Sequence, residues 1–487
     1  MKLGVLIAVL IYEIVVIFGV GLYVSKTRNK ELKDSFALAG RSMGILTLSA
    51  TVALTGLGTA HILGIFEMSY GMGAVAIWFS LAHVILIVVC CFGTGLWIRR
   101  LGVTTVPQAL EGMYGKNIAL AIGCVMAGII WGILTLETQG IGIVVATMTG
   151  WPIANAAVIG GILGIFYVIL AGMEEVGKVN VINAAVMYIG LIIAVAAIAL
   201  KLPGGNFNTV GAFFNENPAT SFMTSILGTP ELIITFAVAQ IITVVFCHGV
   251  SQVFLQSFMA AKDEKTIRRS VWIAAPLNGL FGVFAVVIGL TARALPEYAE
   301  LGPKMAATTL LIEMLPGWIS AILLASLLAA ILSTFAMTSL TPATIFAIDI
   351  YKGLFKKDAS EQEVARIIRI VVVVLGALAI SIASFLPPII GAINWLFAWI
   401  VPVFWLFVFG LFWKRDKGVA TLTLVITWVI NILWSFTALP SMIGGTVGSL
   451  PNGYVTLVIS LVVLIIGNLA VKGEPAYFKI AEYKEIA

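Results

Sequence analysis

Apolar stretches long enough to cross a membrane recur along the whole chain and constrain its fold more than any other feature. The hydrocarbon core of a bilayer is about 30 Å thick, so a spanning helix needs roughly 20 residues. No water is present there to bond exposed amides, so each stretch must pair its backbone internally and is predicted to be an α-helix. Thirteen such stretches lie at 3–24, 44–68, 74–98, 118–147, 153–171, 179–200, 232–258, 271–291, 319–347, 367–385, 390–413, 419–436 and 455–471.

The composition agrees with burial in lipid and argues against several other classes of protein. Of the 487 residues, 61% are hydrophobic and only 10% are charged, whereas soluble domains carry about 25% charged residues. The net charge of +5 could indicate a nucleic-acid partner, but the basic residues lie in short loops between the apolar stretches. No phosphate-binding Walker motif is present, so ATP-driven pumping has no support.

The distribution of basic residues predicts how the chain is oriented. If the N-terminus lies outside, 24 of the 28 Lys and Arg residues fall on the inner side, as the positive-inside rule requires. The stretch from Leu3 to Val24 is too long for the apolar region of a signal peptide and is followed by basic Lys26, so we expect a first span there. The chain is thus predicted to be a multi-pass protein of the plasma membrane, with its N-terminus outside and its C-terminus inside.

Two of the predicted spans carry residues that weaken a helix near mid-membrane. The second span contains Gly56 and Gly58, and each glycine weakens a helix by about 1 kcal/mol relative to alanine. Close helix packing is an alternative reason for small residues there. The seventh span contains the polar segment 247–252. Interrupted helices at corresponding points of two halves indicate a transport site, and halves of five spans each would have opposite orientations in the membrane.

Two adjacent hydroxyls in the ninth span are the sharpest candidate for a cation site. Ser333 and Thr334 lie in an otherwise apolar helix. Sodium prefers hard oxygen ligands, and hydroxyls together with backbone carbonyls supply them without a full charge. On spacing alone, hydrogen bonds back to the preceding turn of the same helix are the simpler interpretation.

Four short motifs follow one another at 36–42 (FALAGRS), 256–262 (QSFMAAK), 329–334 (AAILST, followed by DIY at 349–351) and 410–415 (GLFWKR). Together they resemble the sodium:solute symporter family, whose members carry sugars, proline, pantothenate, iodide or sialic acid. Each motif is weak alone, but their order and their places between the spans make the set specific. The resemblance covers nearly the whole chain.

The resemblance implies an all-α integral membrane protein of thirteen transmembrane helices with a leucine-transporter-like pair of inverted five-helix repeats. The whole chain, 1–487, would form one transporter domain. Its predicted parts are a leading helix and cytoplasmic loop at 1–43, a first repeat at 44–200, a second repeat at 232–413, and C-terminal helices with a short tail at 419–487.

The resemblance also implies where sodium binds. Carried over by motif, the site would use backbone carbonyls of Leu54, Leu57 and Ala330 with the hydroxyls of Ser333 and Thr334. Some members bind a second sodium through an aspartate in the sixth span. The matching position here is Asn180, which argues against a second ion. Many members also have a polar side chain in the second-span break, where this chain has Gly56.

All three histidines of the chain, His61, His83 and His248, fall inside predicted spans. His61 and His83 match positions that contact the sugar in sugar-transporting relatives, and polar groups inside a membrane usually mark a transport pathway. They could be hydrogen-bonded core residues, could pair with an acidic group on the solute, or could relay protons. A three-histidine metal site has no supporting His-x-x-x-His spacing.

Further residues are expected to line the solute cavity beside the histidines. Glu137 lies deep in the fourth span and needs a partner there, and Phe254 matches an aromatic gate of the sugar carriers. Replacement of the usual sugar-binding groups by His61, His83 and Ser251 disfavours a sugar. The other predicted substrate-binding residues are Gly58, Ser80 and Asn394.

These observations predict a sodium-coupled symporter that imports a small organic solute by alternating access. The solute is expected to be an acid such as an amino acid, a carboxylate or a vitamin, because imidazoles could pair with it. A proton-coupled carrier that uses the histidines is the alternative, followed by a membrane-embedded enzyme and a channel. The expected partners are sodium, the solute and the lipid bilayer, with no enzymatic activity, no nucleic acid and no obligate protein partner.

Overall fold

A computed structural model describes residues 3–27, 34–170, 172–383 and 389–478. Helices make up nearly all of these ranges, and eleven of the described helices are long and apolar enough to cross a membrane. Two shorter apolar helices, Ile45–Gly56 and Ile153–Ile169, accompany them. The prediction of an all-helical membrane protein is therefore confirmed.

The principal helices are numbered in chain order. They are α1 Leu3–Thr27, α2 Ile45–Gly56, α3 Thr59–Met72, α4 Trp78–Val89, α5 Gly95–Leu101, α6 Val106–Tyr114, α7 Lys116–Thr149, α8 Ile153–Ile169, α9 Met173–Lys201, α10 Pro230–His248, α11 Gln252–Met259, α12 Glu264–Ala294, α13 Gly302–Glu313, α14 Gly317–Ile345, α15 Glu361–Ile382, α16 Ile389–Ala398, α17 Val401–Phe412, α18 Lys417–Phe436 and α19 Asn452–Ala470.

Short elements connect these helices. Residue pairs Lys414–Arg415 (β1) and Glu474–Pro475 (β2) form a small antiparallel ladder. A segment of wider helical turns at Cys90–Thr94 joins α4 to α5. A second segment of this kind, Phe346–Phe355, extends α14. The remaining short helices are Ser35–Leu38, Ala39–Arg41, Gly73–Ile77, Pro203–Gly205, Asn208–Asn215, Ser221–Thr224, Pro296–Ala299, Leu439–Ile443 and Gly445–Gly448.

Both predicted helix interruptions are present, and there is a third. The first separates α2 from α3 at Leu57 and Gly58, and the second separates α10 from α11 at 249–251. The third, between α16 and α17 at 399–400, was not predicted, because this segment carries no glycine. Interrupted helices expose backbone groups that must find partners elsewhere in the protein.

The beginning of the first broken helix meets the end of the second. Met43, just before α2, donates its N–H to the carbonyl of Ala260 at 3.0 Å and accepts from the N–H of Lys262 at 2.9 Å. These residues follow α11 directly. The start of the first broken helix and the end of the second therefore lie side by side.

Helix α14 lies at the centre of the helix bundle. In its most apolar stretch 94% of the residues are buried, against 28–67% for the other long apolar helices. It contacts α1, α3, α7, α8 and α9, among other helices. The hydroxyls that α14 carries are therefore shielded from lipid and can serve only the interior.

A buried hydrogen-bond network joins α1, α8 and α9. The Tyr167 hydroxyl donates to Asn180 Oδ1 at 3.0 Å and accepts from Asn183 Nδ2 at 2.9 Å. Asn183 Oδ1 accepts from the Tyr12 hydroxyl at 2.9 Å. Asn180, the position where some relatives have an aspartate, is thus engaged in holding three helices together.

We predict that Tyr167→Phe destabilises the protein by about 1–3 kcal/mol, because it leaves Asn180 Oδ1 and Asn183 Nδ2 buried without a partner. Thermal unfolding in detergent should show a lowered midpoint. The matched control is Tyr23→Phe, since Tyr23 is 61% exposed and should leave the midpoint unchanged. Equal midpoints for the two variants would contradict the structural role of this network.

Candidate functional site

The break between α2 and α3 leaves the carbonyls of the last turn of α2 without their usual partners, because four carbonyls at a helix end lack intrahelical donors. The N–H of Leu57 turns back to the carbonyl of Leu54 at 3.0 Å. The carbonyl of Ala53 is then free to accept from Asn278 Nδ2 of α12 at 3.1 Å. Side chains of neighbouring helices thus begin to complete the broken backbone.

The Thr334 hydroxyl of α14 lies against other carbonyl oxygens of the break. Its hydroxyl lies 3.0 Å from the Leu54 carbonyl oxygen, 3.4 Å from that of Thr55 and 3.5 Å from that of Ala330. The adjacent Ser333 hydroxyl is buried and has no hydrogen-bond partner. Oxygen atoms from α2 and α14 therefore converge on one point, which is the arrangement that a dehydrated cation requires.

Glu137 of α7 completes the other side of the break. Its Oε2 accepts the N–H of Thr59, the first residue of α3, at 2.7 Å. The Thr59 hydroxyl lies 3.4 Å from the Glu137 backbone carbonyl. A carboxylate at the N-terminus of a helix satisfies one of its free amides and complements the helix dipole.

His61 is held in one orientation by two hydrogen bonds. Its Nδ1 lies 2.9 Å from the Gly56 carbonyl oxygen and its Nε2 lies 2.6 Å from the Ser80 hydroxyl. A carbonyl can only accept, so Nδ1 donates, and in the neutral ring Nε2 accepts from Ser80. Both ring nitrogens are therefore already engaged within the protein.

The three imidazoles form a row. The ring centroids of His61 and His83 are 4.7 Å apart, and those of His83 and His248 are 5.9 Å apart. His83 Nδ1 donates to the Phe79 carbonyl at 2.8 Å, whereas His248 Nδ1 is buried without a partner. The Phe254 ring packs on both His83 and His248. Among the residues that the structure describes, no group of His, Cys, Asp or Glu is arranged to hold a metal ion.

These groups surround a small cavity of about 30 Å³. Such a volume admits a few water molecules and is too small for an organic solute in this conformation. The cavity lies against the α2–α3 break and is walled by α3, α4, α7, α10, α11, α14 and α16. Its lining residues are Thr55, Gly56, Gly58, Ala60, His61, Phe79, His83, Ile133, Glu137, His248, Val253, Thr334, Thr338, Ile393 and Phe397.

Six of the fourteen predicted site residues lie in the wall of this cavity. Gly58, His61, His83, Glu137, His248 and Thr334 line it directly. Ser80 and Phe254 do not line the cavity, but each contacts a histidine that does: Ser80 bonds His61, and the Phe254 ring packs on His248. Ser251, in the α10–α11 break, and Asn394, on α16, do not line it; the Ser251 hydroxyl and Asn394 Oδ1 are buried without partners.

Several residues of the cavity wall, and one partner of the broken helix, were not predicted from the sequence. Thr338 lies one turn after Thr334 on α14, and Ile133 lies one turn before Glu137 on α7, so helical spacing from the predicted residues would have found both. Phe79 and Phe397 look like ordinary core aromatics in the sequence. Asn278, the partner of the Ala53 carbonyl, is signalled only as a lone amide in the apolar helix α12.

The sequence comparisons agree with one another. The model of the sodium:solute symporter family matches residues 36–427. A sodium/glucose cotransporter of Vibrio parahaemolyticus is 24% identical over 441 residues, which cover 83% of this chain and 80% of that protein. The high-affinity choline transporter 1 of Drosophila melanogaster is 24% identical over 409 residues, which cover 80% of this chain and 63% of that protein. The resemblance predicted from the four motifs is confirmed.

The structural comparisons show the fold. A Na⁺-coupled sialic acid symporter in a substrate-bound outward-open state has a TM-score of 0.81 at 16% identity, covering 96% of this chain and 98% of that one. Mhp1, a nucleobase-cation-symport-1 family transporter, has a TM-score of 0.56 at 14% identity, covering 89% and 93%. The leucine-transporter-like architecture predicted from the resemblance is thus confirmed.

We predict that Gly58→Ala disrupts the site without a backbone penalty, because Gly58 has an ordinary φ of −83°. An added Cβ would meet the Glu137 carboxylate and lie 2.8 Å from Thr334 Cγ2. Overpacking of this kind costs about 1–3 kcal/mol, so sodium-dependent stabilisation in a thermal-shift titration should require roughly tenfold more sodium. Gly71→Ala is the control, since its Cβ would meet nothing within 4 Å. Identical sodium titrations for both variants would refute this prediction.

Proposed function

The chain belongs to the sodium:solute symporter family, and we propose that it imports a small organic solute into the cell together with sodium. Family membership makes it a membrane-embedded transport protein rather than an enzyme and makes sodium its coupling ion. The observation that carries the proposal is the position of the Thr334 hydroxyl, within 3.5 Å of carbonyl oxygens on both α2 and α14. A cation bound there would tie the broken helix to the central helix.

The sodium ligands that we propose are the carbonyls of Leu54, Leu57 and Ala330 with the hydroxyls of Ser333 and Thr334. Support comes from the convergence of the Leu54, Ala330 and Thr334 oxygens and from the Ser333 hydroxyl of the same helix, which is buried without a hydrogen-bond partner. An ion would replace the bonds that Thr334 now donates. Sodium would thereby order the break on which the solute site is built.

A single sodium ion is the stoichiometry that we propose. Asn180 lies at the position where relatives with a second sodium site have an aspartate, and its Oδ1 accepts a hydrogen bond from Tyr167. A neutral amide already engaged in a helix-joining network is a poor replacement for a free carboxylate.

The proposed topology has thirteen transmembrane helices, with the N-terminus outside and the C-terminus inside. One of the eleven long apolar helices, Thr59–Leu101, contains α3 and, in α4 and α5, a second span. With α2 joined to α3 as one broken span and α8 counted as a span, the total is thirteen. The inner side would carry 24 of the 28 Lys and Arg residues, as the positive-inside rule requires. The inverted repeats proposed at 44–200 and 232–413 draw support from the two helix breaks and from the Met43–Ala260 pairing.

A proton-coupled carrier is the second candidate, favoured by the row of imidazoles from His61 to His248. The two hydrogen bonds that occupy both nitrogens of His61 weigh against a relay through that ring. The preference for an acidic solute, which depends on pairing with the histidines, stays a prediction. Sodium coupling requires none of these rings to titrate.

We predict that Ser333→Ala and Thr334→Ala each raise the sodium concentration for half-maximal stabilisation by about tenfold to a hundredfold, the range for losing one hydrogen-bonding contact to a charged group. The double variant should show no response specific to sodium over potassium. Thermal-shift titrations with sodium, potassium and choline chloride measure this directly.

The control for these variants is Ser326→Ala on the same helix. The Ser326 hydroxyl donates to the Leu323 carbonyl at 2.8 Å and lies two turns away from Ser333, so its loss should leave the sodium response unchanged. Uptake into proteoliposomes that proceeds equally in sodium and potassium, and is unaltered in the double variant, would sink the sodium assignment.

A further inference from the structure

The N-terminus of α3 is the place where carriers of this architecture commonly bind an anionic group of their substrate, because half-helix N-termini are positive. In this chain a carboxyl group of the protein itself occupies that place. Glu137 Oε2 accepts the Thr59 N–H at 2.7 Å, and Glu137 is 1% exposed. The anion position at the break is therefore already filled by a side chain of α7.

The rest of the described cavity lining offers neutral polar groups and no cationic side chain, and the Thr55 hydroxyl and His248 Nδ1 in it are buried without partners. His83 Nδ1 donates to the Phe79 carbonyl, so Nε2 of the neutral ring is an acceptor. His61 has both nitrogens engaged. No Lys or Arg lies among the described lining residues, and Glu137 is the one carboxylate among them. A carboxylate of the solute would meet a like charge here and no counter-ion.

Aromatic rings complete a site suited to a cation. Phe79 and Phe397 line the cavity, and Phe254 lies behind His83 and His248. The negative faces of aromatic rings attract a cation within about 6 Å. Apolar Ile133, Val253 and Ile393 make up much of the remaining wall, so a bound charge would be well shielded from water.

We propose that the solute carries a protonated amine and that this ammonium group pairs with Glu137. The inference rests on the proposed symport function and names the group that its solute site recognises. The N–H groups of an alkylammonium match the carboxylate and the imidazole acceptor, and its charge neutralises Glu137. This proposal differs from the expectation, based on the histidines, that the solute carries an acidic group.

Glu137 also links the amine site to the proposed sodium site. A single Cβ placed on Gly58 would touch both the Glu137 carboxylate and Thr334, so the two sites share one wall of the break. Sodium that fixes Leu54 against Thr334 would fix the N-terminus of α3 and, through Thr59, the carboxylate. Ammonium affinity should therefore depend on sodium.

The test uses sets of three probes that differ only in charged groups: valine with isobutylamine and isovalerate, and phenylalanine with phenethylamine and 3-phenylpropionate. Thermal stabilisation of the purified full-length protein is measured for each probe in sodium and in potassium. We expect stabilisation by probes that carry an ammonium group, in sodium, and none by the two carboxylates. Stabilisation by carboxylates alone, or by no ammonium probe, overturns the proposal.

Variants in which a glutamate is replaced by glutamine identify the carboxylate that pairs with the ammonium group. Glu137→Gln keeps an acceptor for the Thr59 N–H but removes the charge, and we expect ammonium affinity to fall at least about thirtyfold, as for a buried charge pair that loses one partner. Glu67→Gln, at the other end of α3 and outside the cavity lining, should leave it unchanged. Equal ammonium affinity in wild type and Glu137→Gln overturns the proposal.

The response to sodium alone separates this proposal from the proposed function. If the Glu137→Gln variant is still stabilised by sodium, it is folded. A loss of ammonium binding in that variant then supports the pairing of the ammonium group with Glu137. Wild-type protein that responds to sodium but to no ammonium probe refutes the amine site and leaves sodium symport standing. Ammonium binding that is identical in sodium and potassium refutes the coupling.

Discussion

A helix broken inside a membrane leaves backbone groups that have no water to bond, and every one of them needs a partner from the protein. At the α2–α3 break these partners can be named. The carbonyl of Leu54 is met by Thr334, that of Gly56 by His61, and the N–H of Thr59 by Glu137. These three side chains also line the cavity, so structure and function at this point share residues.

This shared set of residues gives a physical basis for coupling. A cation that binds to the oxygens near Thr334 competes with the hydrogen bond from Thr334 to the Leu54 carbonyl. A solute that binds at Glu137 changes the group that caps the N-terminus of α3. Each event alters the cost of the other, which is a linkage free energy, typically about 1–3 kcal/mol. The cavity of about 30 Å³ must also enlarge before it can hold a solute.

The sequence predicted the features that depend on local chemistry. Span length gave the helices, paired glycines gave the first break, and adjacent hydroxyls gave Ser333 and Thr334. The break at 399–400 has no comparable local signal and was missed. Partner choice was also beyond the sequence, because only the packing of α12 on α2 brings Asn278 to the Ala53 carbonyl.

The role of His61 shows the same limit more sharply. Its position was predicted, and it lines the cavity, but its ring is fixed by Gly56 and Ser80 and has no free nitrogen to offer a solute. Glu137 was predicted to need a partner, and the partner proved to be the backbone of a helix 78 residues earlier in the chain. Long-range contacts of this kind decide which polar residues bind ligands and which support the fold.

Hydrogen–deuterium exchange across residues 53–66 tests the central claim most directly, because it reports on the amides of the break itself. Exchange is followed by mass spectrometry in sodium and in potassium at equal ionic strength. Slower exchange of this segment in sodium, with no change in α18 or α19, is the predicted result. Equal exchange in the two salts would show that the break does not respond to sodium and would contradict the account.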